Sequence, residues 1–368
     1  KPLILLVLMI LWGGLVALVG DSTAWVEDVT YIKNAIFYPM LAVLFFHAVQ
    51  DKGSMRQVIL MMVFVTFTSS VLGMRQALDY GLGNYNEAKR VAAPFGWAIY
   101  DANRAAIFYC IYLQIAGAVA LFYKGSRWIR VACAITFALG VFVVFHTYSR
   151  QSYFIMAVLL VVLALRRHLL VSAVVCVALL NYEWWVPESV IQRIVMTTVD
   201  DTQHPPRNPI LRPTFDNPVV NSPIYNPGAL YDSRDPWKPG GLVGQSSEEA
   251  VDDLNLDTST ESRLILWTGA WAMIQEHPLG IGLNRFQRQI GNYAPRSVAG
   301  KDAHNFYVLS AAEAGLIAPV VMLILLGSLL SLGFRLHGYR KDNEARTLSM
   351  AFTLATLAVM LGNIYGSR

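Results

Sequence analysis

Long apolar runs are the feature that most constrains this chain. A helix needs roughly 20 apolar residues, each rising about 1.5 Å, to cross the hydrocarbon core of a membrane. Nine runs approach or exceed this length, at 3–19, 34–50, 57–74, 104–123, 130–147, 152–165, 168–182, 305–334 and 347–365. The sequence therefore predicts an all-α polytopic membrane protein, a bundle of about nine or more transmembrane helices.

Lysines and arginines predict the orientation of this bundle, because cytoplasmic loops of membrane proteins collect them. Short basic loops occur around Lys52, Arg127, Arg167 and Arg335. The loops that alternate with them are then expected outside, at 20–33, 74–103, 148–151 and 183–304. The excess of basic residues behind the net charge of +4 is thus explained by the orientation of the bundle in the membrane. It gives no reason to expect a nucleic-acid partner.

A proline-rich segment divides the chain. Residues 183–304 hold twelve of the sixteen prolines and almost no apolar run. We predict one large, partly helical periplasmic loop at 183–304, between a first membrane part at 1–182 and a last one at 305–368. Within the loop, the density of Pro, Asn and Asp at 204–240 predicts irregular backbone.

An amphipathic helix is expected inside this loop at about 259–275. Thr258-Ser259-Thr260-Glu261 has the spacing of a capping box. The stripe that follows, Leu264, Trp267, Trp271 and Ile274, recurs with helical period. We expect it to lie on the outer face of the membrane protein or in the headgroup region, where Trp is favoured. His277-Pro278 should end the helix, and the glycines after it allow a sharp turn.

His304-Asn305 stands where an apolar helix begins, at its predicted outer mouth. The positive end of the helix dipole disfavours imidazolium and attracts anions, so a neutral His304 is a candidate to accept a proton from a sugar hydroxyl. The simpler interpretation is an interfacial, hydrogen-bonded histidine with Asn305 as a local helix cap.

Four arginines are predicted on the same side: Arg150, Arg263, Arg285 and Arg288. Guanidinium groups match phosphate oxygens bidentately and stay charged, so a pyrophosphate is the natural ligand. Each arginine also has a simpler reading, as an interface anchor or a solvated surface charge.

The outer loop 74–103 and its border add basic and aromatic residues. They are Arg75, Lys89, Arg90, Arg104, Tyr80, Tyr85, Phe95, Trp97 and Tyr100. The rings could stack on sugars, or they could form a membrane-interface belt.

Other chemistries lack their motifs. The chain has no Walker-type glycine loop, no nucleophile elbow and no metal-binding histidine or aspartate spacing on the outside, so no metal and no cofactor are expected. The acidic pairs at 200–201 and 252–253 are expected to be solvated. Its three cysteines all fall inside predicted spans and predict packing rather than disulfides.

One pattern resembles a known family. His304-Asn305, nine residues and Gly315 follow a long loop that contains Ser262-Arg263 and the segment from Glu276 to Gly282. This arrangement, over roughly 145–320, is similar to the O-antigen ligase and polymerase superfamily, and its ligase branch fits best. The chain departs from the ligase pattern at Ala318, where the family has Gly, Thr or Tyr.

The resemblance implies a glycosyltransferase-C-like membrane protein of the bacterial inner membrane with a periplasmic active site. It implies transfer of a polysaccharide from undecaprenyl pyrophosphate to a lipid A-core sugar, by a metal-independent inverting displacement among membrane lipids. Arg150 and Arg263 would clamp the pyrophosphate and His304 would be the general base. Arg288 or Arg285 would assist, and Asn305 and Arg104 are further candidates for substrate binding.

Two alternatives stay open. An O-antigen polymerase or a protein O-oligosaccharyltransferase would use the same donor and differ only in the acceptor. A lipid-linked glycan flippase would need ionisable residues deep within several spans, and the predicted spans hold few.

Overall fold

The computed structural model describes residues 2–19, 25–83, 86, 89–96, 101–195, 258–295, 298–337 and 342–366. The predictions for 204–240, for the acidic pairs and for Tyr85, Trp97 and Tyr100 fall outside this part. The described residues form thirteen α-helices: α1 Pro2–Val19, α2 Trp25–Ala48, α3 Lys52–Tyr80, α4 Asp101–Phe122, α5 Arg127–His146, α6 Arg150–Arg167, α7 Leu169–Leu180, α8 Glu188–Val195, α9 Thr258–Glu276, α10 Phe286–Gln289, α11 Phe306–Ala314, α12 Ile317–His337 and α13 Asn343–Tyr365.

Six of these helices are long and apolar enough to cross a membrane: α2, α3, α4, α5, α12 and α13. α1 and α7 are apolar but shorter. The twelve residues of α7 extend only about 18 Å, against a hydrocarbon core of about 30 Å. The structure thus confirms a helical, multi-pass membrane protein, with six helices of spanning length in the described part against nine predicted runs.

The predicted run 305–334 is not one helix, which corrects the sequence prediction. α11 ends at Ala314, and Gly315 has φ 90° and ψ 166°, a conformation that is essentially restricted to glycine. A Cβ at Gly315 would lie 3.0 Å from the carbonyl oxygen of Pro278. The apolar run is therefore broken where another segment of backbone packs against it, and hydropathy alone does not reveal such a break.

The main core surrounds α4, which packs against α3, α5, α6 and α13. Its side chains include the fully buried Tyr109, Leu113 and Leu159. The Tyr109 hydroxyl donates to the Ser69 carbonyl at 2.7 Å, so its polar atom has a partner within the apolar interior. This core holds α6 antiparallel to α13 and thereby positions the first residue of α6, Arg150.

Ion pairs join α3 to α13 at one end of the bundle. Lys52 Nζ lies 2.6 Å from Asp342 Oδ2, and Arg56 lies 2.8 Å from Glu344 Oε2. We call this the basic end, because the ends of α5 and α6 that carry Arg127 and Arg167 are on the same side. The opposite end, where α5 ends and α6 and α11 begin, is called the site end.

A second apolar cluster unites α9, the segment 277–305 and α11, which together are called the loop unit. Leu266, Ala270, Met273 and Ile274 form the buried face of α9. Of the predicted stripe, Trp271 is 57% exposed, whereas Ile274 belongs to the buried face. The reason is that α9 packs on the segment that follows it, which the sequence does not reveal.

Candidate active site

His304 and Arg263 are brought together by α9. The Trp267 indole nitrogen donates to the Ala303 carbonyl at 2.8 Å, which ties the residue before His304 to this helix. Arg263 precedes Trp267 by four residues and therefore lies one turn away on the same face. Arg263 is half-buried, and its positive charge acts on the His304 imidazole.

The backbone at His304 is held in an uncommon conformation. His304 has φ 50°, in the left-handed region that costs non-glycine residues free energy and often marks functional positions. Asn305 then caps α11, because its side-chain oxygen accepts from the Tyr307 and Val308 amides at 2.9 and 3.1 Å. Asn305 is thus a helix cap, as in the simpler interpretation. The cap also fixes the backbone next to His304.

The surroundings of His304 lower the pKa of its imidazole below the ordinary value of 6.5. Loss of hydration among the protein atoms around the ring is the larger cause, although the side chain is exposed on one side. The positive charge of Arg263 is the second cause, and Asp302 opposes both. The imidazole is therefore neutral at neutral pH and can accept a proton from a group that reaches it.

α13 links the His304 region to α6. The Tyr307 hydroxyl donates to the Met360 carbonyl of α13 at 3.2 Å. α13 also packs against α6, which begins at Arg150. Arg150 thus starts a neighbouring helix at the site end and is half-buried.

Two other arginines stabilise the turn that presents Arg150. Arg90 Nε donates to the Thr147 carbonyl at 2.8 Å, and Arg193 Nε donates to the Tyr148 carbonyl at 3.4 Å. Cations are favourable at the carbonyl end of a helix such as α5. Tyr148 has φ 49°, so the predicted short turn is present and conformationally restricted. Arg90 is buried here, which is a structural role that the sequence did not indicate.

Arg285 and Arg288 converge on one buried carboxylate, Asp28 of α2. Asp28 is fully buried, and its Oδ2 lies 3.8 Å from Arg285 Nε. Its Oδ1 accepts from Arg288, and also from Asn284 Nδ2 at 3.1 Å. The Arg285 side chain is 8% exposed, whereas that of Arg288 is 35% exposed. Of these two predicted residues, only Arg288 retains substantial access to a ligand.

The segment that carries these arginines is anchored to α1 and to the end of α11. The Gly282 amide donates to the Glu313 carbonyl at 2.9 Å, and the Leu283 amide donates to the Gly13 carbonyl at 3.0 Å. Gly282 has φ 99°, and a Cβ there would lie 2.6 Å from Ala17 Cα, so the close approach requires glycine.

Asp28 and Glu313 are site-end residues that sequence reasoning missed. Glu313 is 2% exposed, and its Oε1 accepts from the Phe286 amide at 3.1 Å. An isolated acidic residue near an apolar run gives no local sign of its partner. Only the fold shows that both carboxylates hold the 284–288 segment.

Arg104 lies in the first turn of α4. Its Nη1 lies 3.2 Å from Asp101 Oδ1, and its side chain is 59% exposed. Within the described ranges, no three His, Cys, Asp or Glu side chains are grouped as a metal site requires.

Comparison with known proteins shows which family the chain belongs to. The O-antigen ligase family model matches residues 115–323, which is more than half of the chain. A comparison with curated proteins finds no match. The matched region runs from the middle of α4 into α12, and it contains Arg150, Arg263 and His304. The chain therefore belongs to the O-antigen ligase family, whose members are glycosyltransferase-like membrane enzymes of the ligase or polymerase type.

Proposed function

We propose that the protein is an O-antigen ligase that transfers a polysaccharide from undecaprenyl pyrophosphate to a sugar of lipid A-core. The observation that supports this proposal is the exposed His304 imidazole, whose pKa is lowered by loss of hydration and by the positive charge of Arg263. A general base next to a fixed cation suits a reaction in which a hydroxyl attacks while an anion departs.

The proposed reaction is a single inverting displacement. The acceptor hydroxyl oxygen forms a bond to the anomeric carbon, and the bond from that carbon to the pyrophosphate oxygen breaks. The leaving pyrophosphate keeps the electron pair, and Arg263 and Arg150 stabilise its charge. His304 takes the proton of the acceptor hydroxyl. The lipid pyrophosphate is already a good leaving group, so the protein mainly has to stabilise departing charge and activate the acceptor.

Arg288 is the better candidate for the assisting arginine. Its side chain is about four times as exposed as that of Arg285, at 35% against 8%. Arg285 instead positions the segment, and Arg104, with its own carboxylate partner, is assigned to the rim of the substrate site.

The distribution of basic residues supports the orientation that this function needs. With the basic end in the cytoplasm, as the positive-inside rule predicts, the site end faces the periplasm of the bacterial inner membrane. The donor lipid would then reach Arg263 from the outer leaflet. The buried Asp28 and Glu313 do not favour transport, because both hold protein groups rather than line a path across the bundle.

The proposal is tested by a transfer assay with purified protein, defined lipid-linked donor and purified lipid A-core. We expect His304→Ala to slow transfer by about 10²- to 10⁴-fold, the usual contribution of a general base. His277→Ala is the matched control, because His277 lies beyond the end of α9 and is exposed. Transfer by His304→Ala at the wild-type rate would refute the assignment of the base.

A second series of variants tests the arginine. Arg263→Lys keeps the charge but loses the bidentate geometry, so we expect intermediate activity between wild type and Arg263→Ala. The alanine variant should lose roughly 10²- to 10³-fold, as is typical when one electrostatic donor is removed. Arg335→Ala, at the basic end, is the control and should transfer normally.

A separate experiment identifies the acceptor, independently of the roles of His304 and Arg263. The same donor is offered with lipid A-core, with a second lipid-linked repeat unit, or with a pilin-like protein. A ligase uses only the first acceptor. Preference for the second or the third would instead identify a polymerase or a protein O-oligosaccharyltransferase, with the same roles for His304 and Arg263.

A further inference from the structure

A basic cleft lies at the opposite end of the bundle from His304. It encloses about 630 Å³, part of it open to solvent, between the end of α4, the end of α6 and the start of α13. Its lining residues are Phe122, Lys124, Arg166, Arg167, Asn343, Arg346, Thr347 and Met350. Four of these are cations and none is a carboxylate, so the cleft concentrates positive charge.

Nearby carboxylates are engaged with other cations. Asp342 pairs with Lys52 at 2.6 Å, and Glu344 receives a bidentate interaction from Arg56. Within the part of the chain that the structure describes, none of the four cleft cations has a carboxylate within salt-bridge distance. Arg167 Nη1 donates to the Leu121 carbonyl at 3.5 Å, and the Arg166 guanidinium lies 5.6 Å from the centre of the Phe334 ring. These are neutral partners, so no carboxylate among the described residues neutralises the four cations.

Asn343 holds two walls of the cleft together through bonds that involve none of the four cationic side chains. Asn343 accepts from the Lys124 amide at 2.7 Å and donates to the Phe122 carbonyl at 3.1 Å. These two bonds join the end of α4 to the start of α13. The cleft is thus already formed, and an anion that enters it does not have to order the helices first.

We propose that this cleft binds the headgroup of an anionic phospholipid. Arginine forks match the oxygens of a phosphodiester, and basic clefts between membrane helices are suited to such headgroups. Arg167 and Arg346 come from different helices and can contact one phosphate from two sides. Phe122 and Met350 supply apolar surface beside them, which suits the first carbons of the acyl chains and favours a lipid over a soluble phosphate.

The test compares two double variants that remove the same charge from the same end. Arg167→Gln with Arg346→Gln removes two cleft cations, and Arg127→Gln with Arg335→Gln removes two exposed cations outside the cleft. Binding of phosphatidylglycerol and of phosphatidylcholine to detergent-purified protein is measured by native mass spectrometry. The readout needs no glycan transfer, so it stands apart from the proposed function.

We expect wild type and the control double variant to prefer phosphatidylglycerol. The cleft double variant should bind it roughly 30-fold more weakly, which corresponds to about 1 kcal/mol for each cation. Arg346→Gln alone should weaken binding about fivefold, which provides a test if the double variant does not fold.

Three outcomes would overturn the proposal. The first is equal affinity of wild type for the two lipids. The second is an equal loss in both double variants, which would show that charge at this end, rather than the cleft, attracts the lipid. The third is displacement of phosphatidylglycerol by millimolar inorganic phosphate, which would assign the cleft to a soluble anion.

Discussion

Asp28 is expected to be the most sensitive acidic residue at the site end, and Asp28→Asn tests this directly. The substitution keeps the size of the side chain and removes its charge. Arg285 then remains 8% exposed with an amide in place of its carboxylate partner. Arg288, at 35% exposure, can reach water instead.

The expected loss follows from these two exposures. Removing one partner of a buried ion pair typically costs about 3–5 kcal/mol, because the other charge stays in a poorly hydrated place. The more exposed Arg288 pair adds only about 0–1 kcal/mol. Asp28→Asn should therefore destabilise the protein by roughly 3–6 kcal/mol and disorder the 284–288 segment.

The measurement is the unfolding midpoint in detergent, with Asp79→Asn as the control. Asp79 also faces an arginine, Arg75, at 3.9 Å, but both side chains are largely exposed, so little change is expected. Asp28→Asn combined with Arg285→Gln should recover part of the loss, since the buried guanidinium that faced Asp28 is then removed as well. If Asp28→Asn unfolds at the same midpoint as Asp79→Asn, the reasoning from burial is wrong.

Three further predictions concern the loop unit and the chemistry. Gly315→Ala should destabilise by roughly 2–6 kcal/mol in thermal unfolding, from backbone strain and from contact with Leu279, whereas Gly327→Ala, with open space around it, should not. Nuclear magnetic resonance titration of His304 should show a pKa below 6.5, so the imidazole should stay neutral and transfer should persist as the pH falls through 6.5. Arg263→Gln should raise the pKa of His304, because a nearby positive charge is removed. An unchanged pKa in this variant would contradict the electrostatic coupling. Transfer should survive EDTA, and loss restored by a divalent cation would refute a mechanism based on arginine alone.

Short sequence patterns predicted those helices and turns that depend on interactions between residues close together in the chain. Most of the apolar runs, the short turn before Arg150 and the helix at Thr258–Glu276 appear in the structure, because hydropathy, chain length and helix end signals act over a few residues. α9 occupies Thr258–Glu276, against a predicted range of about 259–275. The family resemblance and the side of the membrane predicted a shared site for Arg263 and His304, and that shared site stays a prediction; the structure adds that the charge of Arg263 acts on the His304 imidazole.

Contacts between distant segments could not be predicted in the same way. The break at Gly315 depends on the backbone of Pro278, and the buried face of α9 depends on Phe286 and Ile290. The pairing of Asp28 with two arginines joins residues 257 and 260 positions apart. Helices and turns are predicted from short stretches of sequence, and such a stretch contains no information about a partner that lies far away in the chain.

The anchoring of the 278–285 segment to α1 has a consequence for biogenesis. Leu279 and Arg285 bond to residues of α1 that are 267 and 268 positions earlier in the chain. α1 leaves the ribosome before this segment, so its Trp12 indole and Ala17 carbonyl stay without these partners until the segment has been synthesised. The region 115–323 produced alone would lack this docking surface, and its arginine segment would have no α1 to dock on.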